Sequence, residues 1–535
     1  MAQEKEEKLF ARKASGLIKE ASATKAAFFN IANIMGSKFA WSVAYLGLFP
    51  AGLILGWPPF LLVCLLIGLL SYITAILYIQ FTTPMPRSGA DYVIPARILG
   101  PFWGFINSWM IVWSWIPVWG WMAWVTVRNL KQLFDVLAIV GILQGPFGYI
   151  TQSPLVWVLG IFTIVFAMIL CMLPPRKYYT ILSVLAVFSI IGLILTIIGV
   201  IAGASAFETN FQQYVGYSTT ALVSKAIENG WNPNETLTFN SLIGLLGYVL
   251  FVIGGYQYSA TISGEIKGDV KKGLTISIIG SLTFFMLYQI PFVWLILTGF
   301  GYKNIIAWSY LFWNTDAAPF GLPPINALIC TIGTPNLWPL WFIAGIAGVF
   351  GTWLCIPASM VYINRQIFAW GIDRMIPKTL ADVHPRLHQP MKIFILEGLI
   401  GIIFFATTIA GVNPVSYALW TTLLMSTSLI FPGIIPIVMK KRRPDLYRSV
   451  PWKKVFIPLG VLQLAWILPV YLIAGVYGSA PITPEMSLWS WAVTTGLIAT
   501  LVVVIAGIII YYSVRAWNIK KGIEFDKMFK LIPPE

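Results

Sequence analysis

Asn33-Ile34-Met35-Gly36-Ser37-Lys38 is a polar interruption in an apolar segment, residues 26–50, that is long enough to cross a lipid bilayer. A lysine at bilayer depth costs at least ~2.5 kcal/mol, so Lys38 should face protein or a water-lined cavity rather than lipid. An interruption of a helix exposes backbone N–H and C=O groups, which is tolerated only where the break lines a cavity. We therefore expect two half-helices that meet at a polar break.

A second stretch, Val252-Ile253-Gly254-Gly255-Tyr256-Gln257-Tyr258-Ser259, interrupts a later apolar segment, residues 239–263, in the same way. The two interrupted segments lie in different halves of the chain. This arrangement is the best indication of a transporter binding site that a sequence can offer.

The composition indicates a membrane protein, since 58% of the 535 residues are hydrophobic and only 10% are charged. About twelve apolar segments approach or exceed the ~20 residues that a membrane helix needs. The segments are too uniformly apolar for outer-membrane strands, in which apolar and polar residues alternate. We number them spans 1 to 12, with the approximate limits 26–50, 58–82, 102–127, 153–173, 179–203, 239–263, 274–300, 337–363, 391–411, 415–439, 455–477 and 487–513.

The formal net charge of +15 would suggest a nucleic-acid partner in a soluble protein, so the distribution of the charge matters. With the N-terminus inside the cell, 30 of the 35 lysines and arginines fall on the cytoplasmic side. Those on the outer side are Arg128, Lys131, Lys225 and Lys303. This bias predicts a multi-pass protein of the plasma membrane with both termini in the cytoplasm and no nucleic-acid partner.

The sequence has few features of an enzyme or a metal site. It contains no P-loop and no nucleophile motif, and its four cysteines are too dispersed for a cysteine-histidine cluster. Its two histidines, His384 and His388, are separated by Pro385. We expect no enzyme activity, no catalytic residue, no metal and no cofactor.

The order of the spans suggests an internal repeat, because spans 1 and 6 are both interrupted at glycines. An odd number of spans in each half turns the second half upside down relative to the first, so the pattern predicts an all-α membrane protein with a five-plus-five inverted repeat. The expected organisation is an N-terminal cytoplasmic tail (1–25), a first repeat (26–203), an extracellular loop (204–238), a second repeat (239–439), spans 11 and 12 (440–513) and a C-terminal cytoplasmic tail (514–535).

Three segments, in the correct order, resemble segments of the amino acid-polyamine-organocation permeases. Residues 86–92 with Gly100-Pro101 resemble the Pro-x-Ser-Gly-Gly-x-Tyr segment after the second helix. Residues 264–267 resemble the Glu-Glu-Val-Lys segment after the break in helix six, and residues 365–377 resemble the Arg-x7-Asp-Gly-x2-Pro segment after helix eight. The similarity covers about residues 26–440. The chain departs from the pattern at Lys38, where many members have glycine, and at Arg374, which also replaces a glycine.

The resemblance implies a twelve-helix permease with the leucine-transporter-like fold and a substrate held at mid-depth between spans 1, 3, 6 and 8. A helix N-terminus attracts an anion and free carbonyls suit an amine, so a zwitterionic amino acid would satisfy both breaks. The implied positions are Met35, Gly36 and Ser37 for the carboxylate, Val252, Ile253 and Gly254 for the ammonium, and Ser114, Trp115, Trp119 and Tyr256 for the pocket and gate. For Trp115 and Trp119, one turn apart in span 3, bulky packing is the alternative.

Taken together, these features predict a secondary active amino acid transporter that works by proton-coupled symport or by exchange. A transporter of polyamines or other organic cations is one alternative. A substrate-sensing receptor built on a permease fold is another, although such proteins usually have larger cytoplasmic extensions than the tails of this chain.

Lys38 is the candidate coupling residue. In sodium-coupled relatives a cation lies between the break of span 1 and span 8, and in some sodium-independent members a lysine amine from another helix takes its place. Span 5 here contains no lysine, so Lys38 is the candidate for this role. The role predicts coupling to protons rather than sodium. Direct binding of the substrate carboxylate and a structural role along a water-filled vestibule remain alternatives.

Overall fold

The structure, a computed structural model, describes residues 10–11, 14–412, 414–476 and 491–534. Within these ranges, the side chains of residues 37–39, 239–240, 243, 414–419, 471–476 and 491–497 are not described. The described chain is mostly helical and forms no β-strand. Ten of its helices are long and apolar enough to cross a membrane. They correspond to every predicted span except 1 and 6, the two that the sequence predicts to be interrupted.

The ten long spans have clear boundaries in the sequence. Prolines occupy the first turn of spans 2, 3 and 5, a position where the missing N–H costs nothing. Span 7 contains one π-helical turn and span 10 is broken after its first helix. The helices are Pro59–Thr82, Pro101–Ile139, Leu155–Met172, Pro175–Gly203, Val270–Gly299, Pro335–Ile372, Met391–Ile409, Pro414–Ser428 with Phe431–Arg442, Lys453–Val476 and Trp491–Lys520.

Spans 1 and 6 are only partly α-helical. Span 1 forms the helix Ala23–Ala40 and then continues through turns and the 3-10 helix Leu46–Leu48. Span 6 forms the helix Phe239–Ile253 and then continues through two 3-10 helices, Tyr258–Ala260 and Ser263–Glu265. In each of these two spans, the first half is a regular α-helix, as expected, and the second half is not.

Span 8 is longer than predicted and bends at Leu354, between the helices Trp338–Trp353 and Cys355–Ile372. Pro357 accounts for the bend, because proline cannot donate the hydrogen bond to the carbonyl four residues earlier. The extension carries Arg365 into a buried helix, where it is fully enclosed, rather than into the predicted loop.

Span 3 lies at the centre of the molecule. In its most apolar stretch 94% of the residues are buried, against 17% in that of span 12. The contacts of the two halves correspond. Span 1 packs on span 5 as span 6 packs on span 10, and span 3 packs on span 10 as span 8 packs on span 5. Such paired contacts are expected of an inverted repeat. The predicted all-α membrane fold is confirmed.

Both ends of the described chain lie on one face of the bundle, which we call the inner face. Ala21 pairs with Ile266, just beyond span 6. The C-terminal segment lies against the short helix Ala90–Ile98, since Arg97 donates from Nε to the carbonyl of Leu531 at 3.2 Å. On the opposite, outer face lie the helices Phe207–Val215, Thr219–Glu228, Tyr302–Asn314 and Asn326–Gly333.

Candidate substrate site

The helix of span 1 is interrupted at Gly36, whose backbone angles of φ 14° and ψ −139° are non-helical. A Cβ atom at this position would lie 3.3 Å from Cβ of Cys355, so the glycine allows span 8 to approach closely. Met35, directly before the break, is fully buried. The side chains of Ser37 and Lys38 lie outside the described residues, and their roles stay predictions.

The helix of span 6 ends at Ile253, and two glycines then turn the chain away from the helix axis. Gly254 has the extended ψ of 143°, and Gly255 has a φ of +112°, a conformation that glycine adopts readily and other residues rarely. Carbonyls in the last turn of a helix have no partner within that helix. Val252 and Ile253 lie in this last turn.

The two breaks touch each other, and span 8 lies beside both. A Cβ atom at Gly255 would lie 2.5 Å from Nδ2 of Asn33, which leaves room only for glycine. The thiol of Cys355 in span 8 donates to Oδ1 of the same asparagine at 3.2 Å. Spans 1, 6 and 8 therefore meet at Asn33, three residues before Gly36.

Asn30, one turn before Asn33, replaces the missing helical hydrogen bonds of span 6. Its amide nitrogen donates to the carbonyl of Tyr256, and its Oδ1 accepts from the N–H of Ser259 at 2.8 Å. It also donates to the carbonyl of Ser277 in span 7 at 3.0 Å. These bonds explain why the inner half of span 6 is not α-helical, since side chains of neighbouring spans satisfy its backbone. Asn30 was not among the predicted site residues, although Asn30 and Asn33, three residues apart in an apolar segment, were a signal in the sequence.

Span 3 and span 8 add an aromatic wall beside the breaks. Trp115 packs edge-on against Tyr258, with ring centroids 5.3 Å apart, and lies 6.3 Å from Phe251. Tyr258 stacks in parallel on Tyr362 of span 8 at 3.7 Å. Trp115 therefore faces span 6, and its role in a pocket stays a prediction. The partners Tyr258 and Tyr362 were not predicted.

Three other predicted pocket residues have partners elsewhere. Trp119 donates from Nε1 to Oγ of Ser359 in span 8 at 2.9 Å. The hydroxyl of Tyr256 faces Thr74 and Ser71 of span 2. Ser114 is buried and donates to a carbonyl of its own helix at 2.7 Å. The structure thus brings Trp115 to the breaks but does not bring the side chains of these three residues together there.

A layer of buried and partly buried aromatic rings covers the outer side of the breaks. Tyr45 of span 1 stacks on Trp313 at 5.4 Å, and Trp41 lies 5.9 Å from Trp124 of span 3. Trp313 belongs to the outer helix Tyr302–Asn314, so the loop between spans 7 and 8 takes part in the cover. Aromatic contacts of this kind are individually worth about 0.5–1.5 kcal/mol beyond burial.

On the inner side, the buried carboxylate of Asp91 holds four elements together. It accepts hydrogen bonds from Tyr78 of span 2 at 2.6 Å, Tyr362 of span 8 at 2.9 Å and Thr261 of span 6 at 3.0 Å. Gln366 adds a fourth at 3.1 Å. Burial raises the pKa of the Asp91 carboxyl, and the four hydrogen bonds only partly offset that effect.

Two buried ion pairs reinforce the inner side. Arg365 of span 8 binds Glu265, at the inner end of span 6, with 2.6 Å between Nε and Oε1. Arg97 binds Asp373, with 2.7 Å between Nη2 and Oδ1. A buried pair resists separation, because removing one partner leaves an uncompensated charge. The breaks are therefore closed towards both faces in this structure.

The groups that surround the breaks are amides, carbonyls, hydroxyls and aromatic rings. Within the described part of the chain, no group of three or more His, Cys, Asp or Glu side chains is placed to hold a metal ion.

Comparison with known proteins assigns the family. The profile of the amino acid permease family matches residues 24–498, which includes both breaks and spans 1 to 11. A search of curated proteins found no match to the chain. Because the match covers most of the sequence, the chain belongs to the amino acid permease family: it is a multi-pass membrane transporter of amino acids and not an enzyme.

Proposed function

We propose that this protein is a secondary active amino acid transporter that binds its substrate between the breaks of spans 1 and 6 and moves it by alternating access. The observation that carries the proposal is the contact of Asn33 with Gly255, which joins the two breaks. At this junction the carbonyls of Val252 and Ile253 are available to an ammonium group. Backbone N–H groups beyond Gly36 are available to a carboxylate.

The aromatic residues at the junction favour a substrate whose side chain can pack on rings. Trp115 and Tyr258 are both buried and in contact, so a small rearrangement of either ring would shape the pocket. We propose these two residues, with Phe251, as the determinants of substrate preference.

Transport is proposed to be coupled to protons, or to proceed by exchange, without sodium. The sequence-based argument for Lys38 supports this, since an amine beside the break would occupy the place of a cation. Lys38→Ala should abolish proton-linked uptake and leave substrate binding measurable. Unchanged pH dependence in that variant would contradict the coupling role, and a loss of substrate binding would favour direct binding of the carboxylate.

We further propose that the inner face is cytoplasmic and that the protein lies in the plasma membrane. The bias of basic residues supports this orientation. Cysteines introduced at positions 176, 271 and 441 should react only from inside, and those at 225 and 303 only from outside. Labelling of 225 and 271 from the same side would contradict the orientation.

Two observations disfavour a polyamine or other organic cation as substrate. Such a cation would need a free carboxylate near the breaks, but Glu265 is paired with Arg365 and Asp91 accepts four hydrogen bonds. Both carboxylates are therefore committed to holding the inner side closed.

The test is uptake of radiolabelled amino acids into proteoliposomes that contain the purified protein. A panel of neutral, acidic and basic amino acids should include at least one that enters in sodium-free buffer. Uptake should increase when the outside is acidified or when the liposomes are preloaded with the same amino acid. Strict dependence on sodium would contradict the coupling, and uptake of polyamines alone would contradict the substrate class.

A further inference from the structure

Glu397 of span 9 is a buried carboxyl group that neither the breaks nor the inner ion pairs use. Its side chain is 2% exposed, and neither carboxyl oxygen has a hydrogen-bond partner among the described residues. Span 4 packs tightly beside it, since a Cβ atom at Gly398 would lie 2.7 Å from Sδ of Met168. An ionised carboxylate without partners in such surroundings is strongly destabilised. This conformation therefore favours the neutral, protonated carboxyl.

The groups around Glu397 come from spans 4 and 8. Cys171 of span 4 lies within electrostatic range of the carboxyl, but its thiol donates to the carbonyl of Pro357 at 3.4 Å. Span 8 packs on span 9 and carries Arg365, the cation whose charge favours ionisation of the Glu397 carboxyl. In the described part of the chain, span 3 and the 3-10 helix Lys378–Ala381 also pack on span 9. Span 3 adds no charge that acts on the carboxyl, and Lys378 of the short helix is exposed. On span 9 itself, the exposed Lys392 pairs with a surface aspartate instead.

The hydrogen-bond donors of the Arg365 guanidinium bind groups other than Glu397. Its Nε and Nη2 bind Glu265 at 2.6 and 3.2 Å, and Nη2 also donates to Gln389 at 3.0 Å. Its Nη1 donates to Asn364 at 2.9 Å. One guanidinium is thus hydrogen-bonded to Glu265 of span 6 and, through Gln389, to the segment that leads into span 9 and Glu397.

We propose that Glu397 is a proton-binding site whose proton is released when the inner side opens. Opening requires the inner end of span 6 to leave span 8, which separates Glu265 from Arg365. A buried guanidinium without a counter-ion is strongly unfavourable. Glu397 then loses its proton to water on the inner side, and the resulting carboxylate becomes the counter-ion of Arg365.

Closing the inner side reverses the exchange, because Arg365 returns to Glu265 and Glu397 binds one proton again. Opening is therefore linked to the release of one proton, and raising the pH should favour the open state. The proposal rests on the proposed proton-linked transport and assigns it a specific group.

The test uses a protein in which Cys355, beside the break, is the only cysteine. Cys64 and Cys330 are replaced by alanine, and Cys171 by serine, which keeps a donor for Pro357. The labelling rate of Cys355 by a hydrophilic thiol reagent from the inner side reports opening, once it is divided by the rate of a free thiol at the same pH. This ratio should rise about tenfold between pH 6 and pH 8, within the limit of tenfold per pH unit for one proton.

Glu397→Gln and Glu397→Met should abolish this pH dependence, with labelling held at the low rate found for the parent at pH 6. Two neutral replacements are used so that one poorly folded variant does not decide the result, and an apolar residue is tolerated in place of a buried charge. Glu208→Gln, in the outer helix Phe207–Val215, is the matched control and should keep the rise. An unchanged rise in a folded Glu397 variant would overturn the proposal. Labelling needs no substrate, so this outcome is distinguishable from a failure of the proposed transport function.

Discussion

Gly255 of span 6 lies against Asn33 of span 1 so closely that a Cβ atom on the glycine would be 2.5 Å from the asparagine Nδ2. Gly255 also has a φ of +112°. Gly255→Ala should therefore lower the thermal midpoint of the purified protein and reduce transport more than tenfold, because both overlap and backbone strain oppose the native geometry.

The control for this change is Gly244→Ala in the helix Phe239–Ile253 of the same span. A Cβ atom at Gly244 would meet nothing within 4 Å. This variant should match or slightly exceed the parent in stability, since alanine favours a helix. Equal effects of the two substitutions would contradict the close contact of the breaks.

Asn30 is predicted to hold the inner half of span 6 in its non-helical path. Asn30→Leu leaves the Ser259 N–H without its partner and removes the Asn30 donor from the Tyr256 carbonyl, which keeps Ser281 Oγ at 3.3 Å. A buried donor left without a partner costs about 1–3 kcal/mol. We expect a lower thermal midpoint and little transport. Asn314→Ala, which loses only a bond to its own outer helix, should be nearly neutral. An Asn30→Leu variant as stable and active as this control would contradict the role of Asn30.

The two tryptophans of span 3 should behave differently. Trp115 contacts Tyr258 beside the breaks, so Trp115→Phe should change the ratio of uptake rates among amino acids. Trp119→Phe removes one hydrogen bond to Ser359, worth about 1 kcal/mol, and should lower stability without changing preference. Competition assays with an amino acid panel and thermal unfolding separate the outcomes. A change of preference only in Trp119→Phe would reverse the assignment.

Asp91 is predicted to keep the inner side closed. Asp91→Ala removes the acceptor of four hydrogen bonds and should raise the labelling rate of Cys355 from the inner side at least fivefold. Asp382→Ala, which breaks only an exposed contact with Lys392 at 3.5 Å, should leave the rate unchanged. A slow rate in Asp91→Ala would mean that other contacts suffice for closure.

The number of spans, their order and the positions of the two breaks follow from the sequence, because each depends on local features. Apolar segments of spanning length mark the helices, and the glycines at Gly36 and Gly254 mark the breaks. The family segments at residues 86–92 and 365–377 follow the second and the eighth helix of the family, so they fix the order of the spans.

The direction of individual side chains does not follow from the sequence. Trp115 and Trp119 share one helix face, yet a small difference in position places one against span 6 and the other against span 8. Asn30 matters because span 6 is not helical beyond Gly254, and this depends on long-range hydrogen bonds. The relation of Glu397 to Arg365 depends on the bend and extension of span 8, which a hydropathy pattern does not reveal.

The central claim is that an amino acid binds where the two breaks meet, and Cys355 beside Gly36 and Asn33 provides the most direct measurement. In the protein with Cys355 as its only cysteine, the labelling rate should be measured with and without saturating concentrations of the transported amino acid. The account predicts that this amino acid slows labelling several-fold and that an amino acid outside the transported set does not. Equal labelling with and without the transported amino acid, in protein that still takes it up, would contradict the placement of the site.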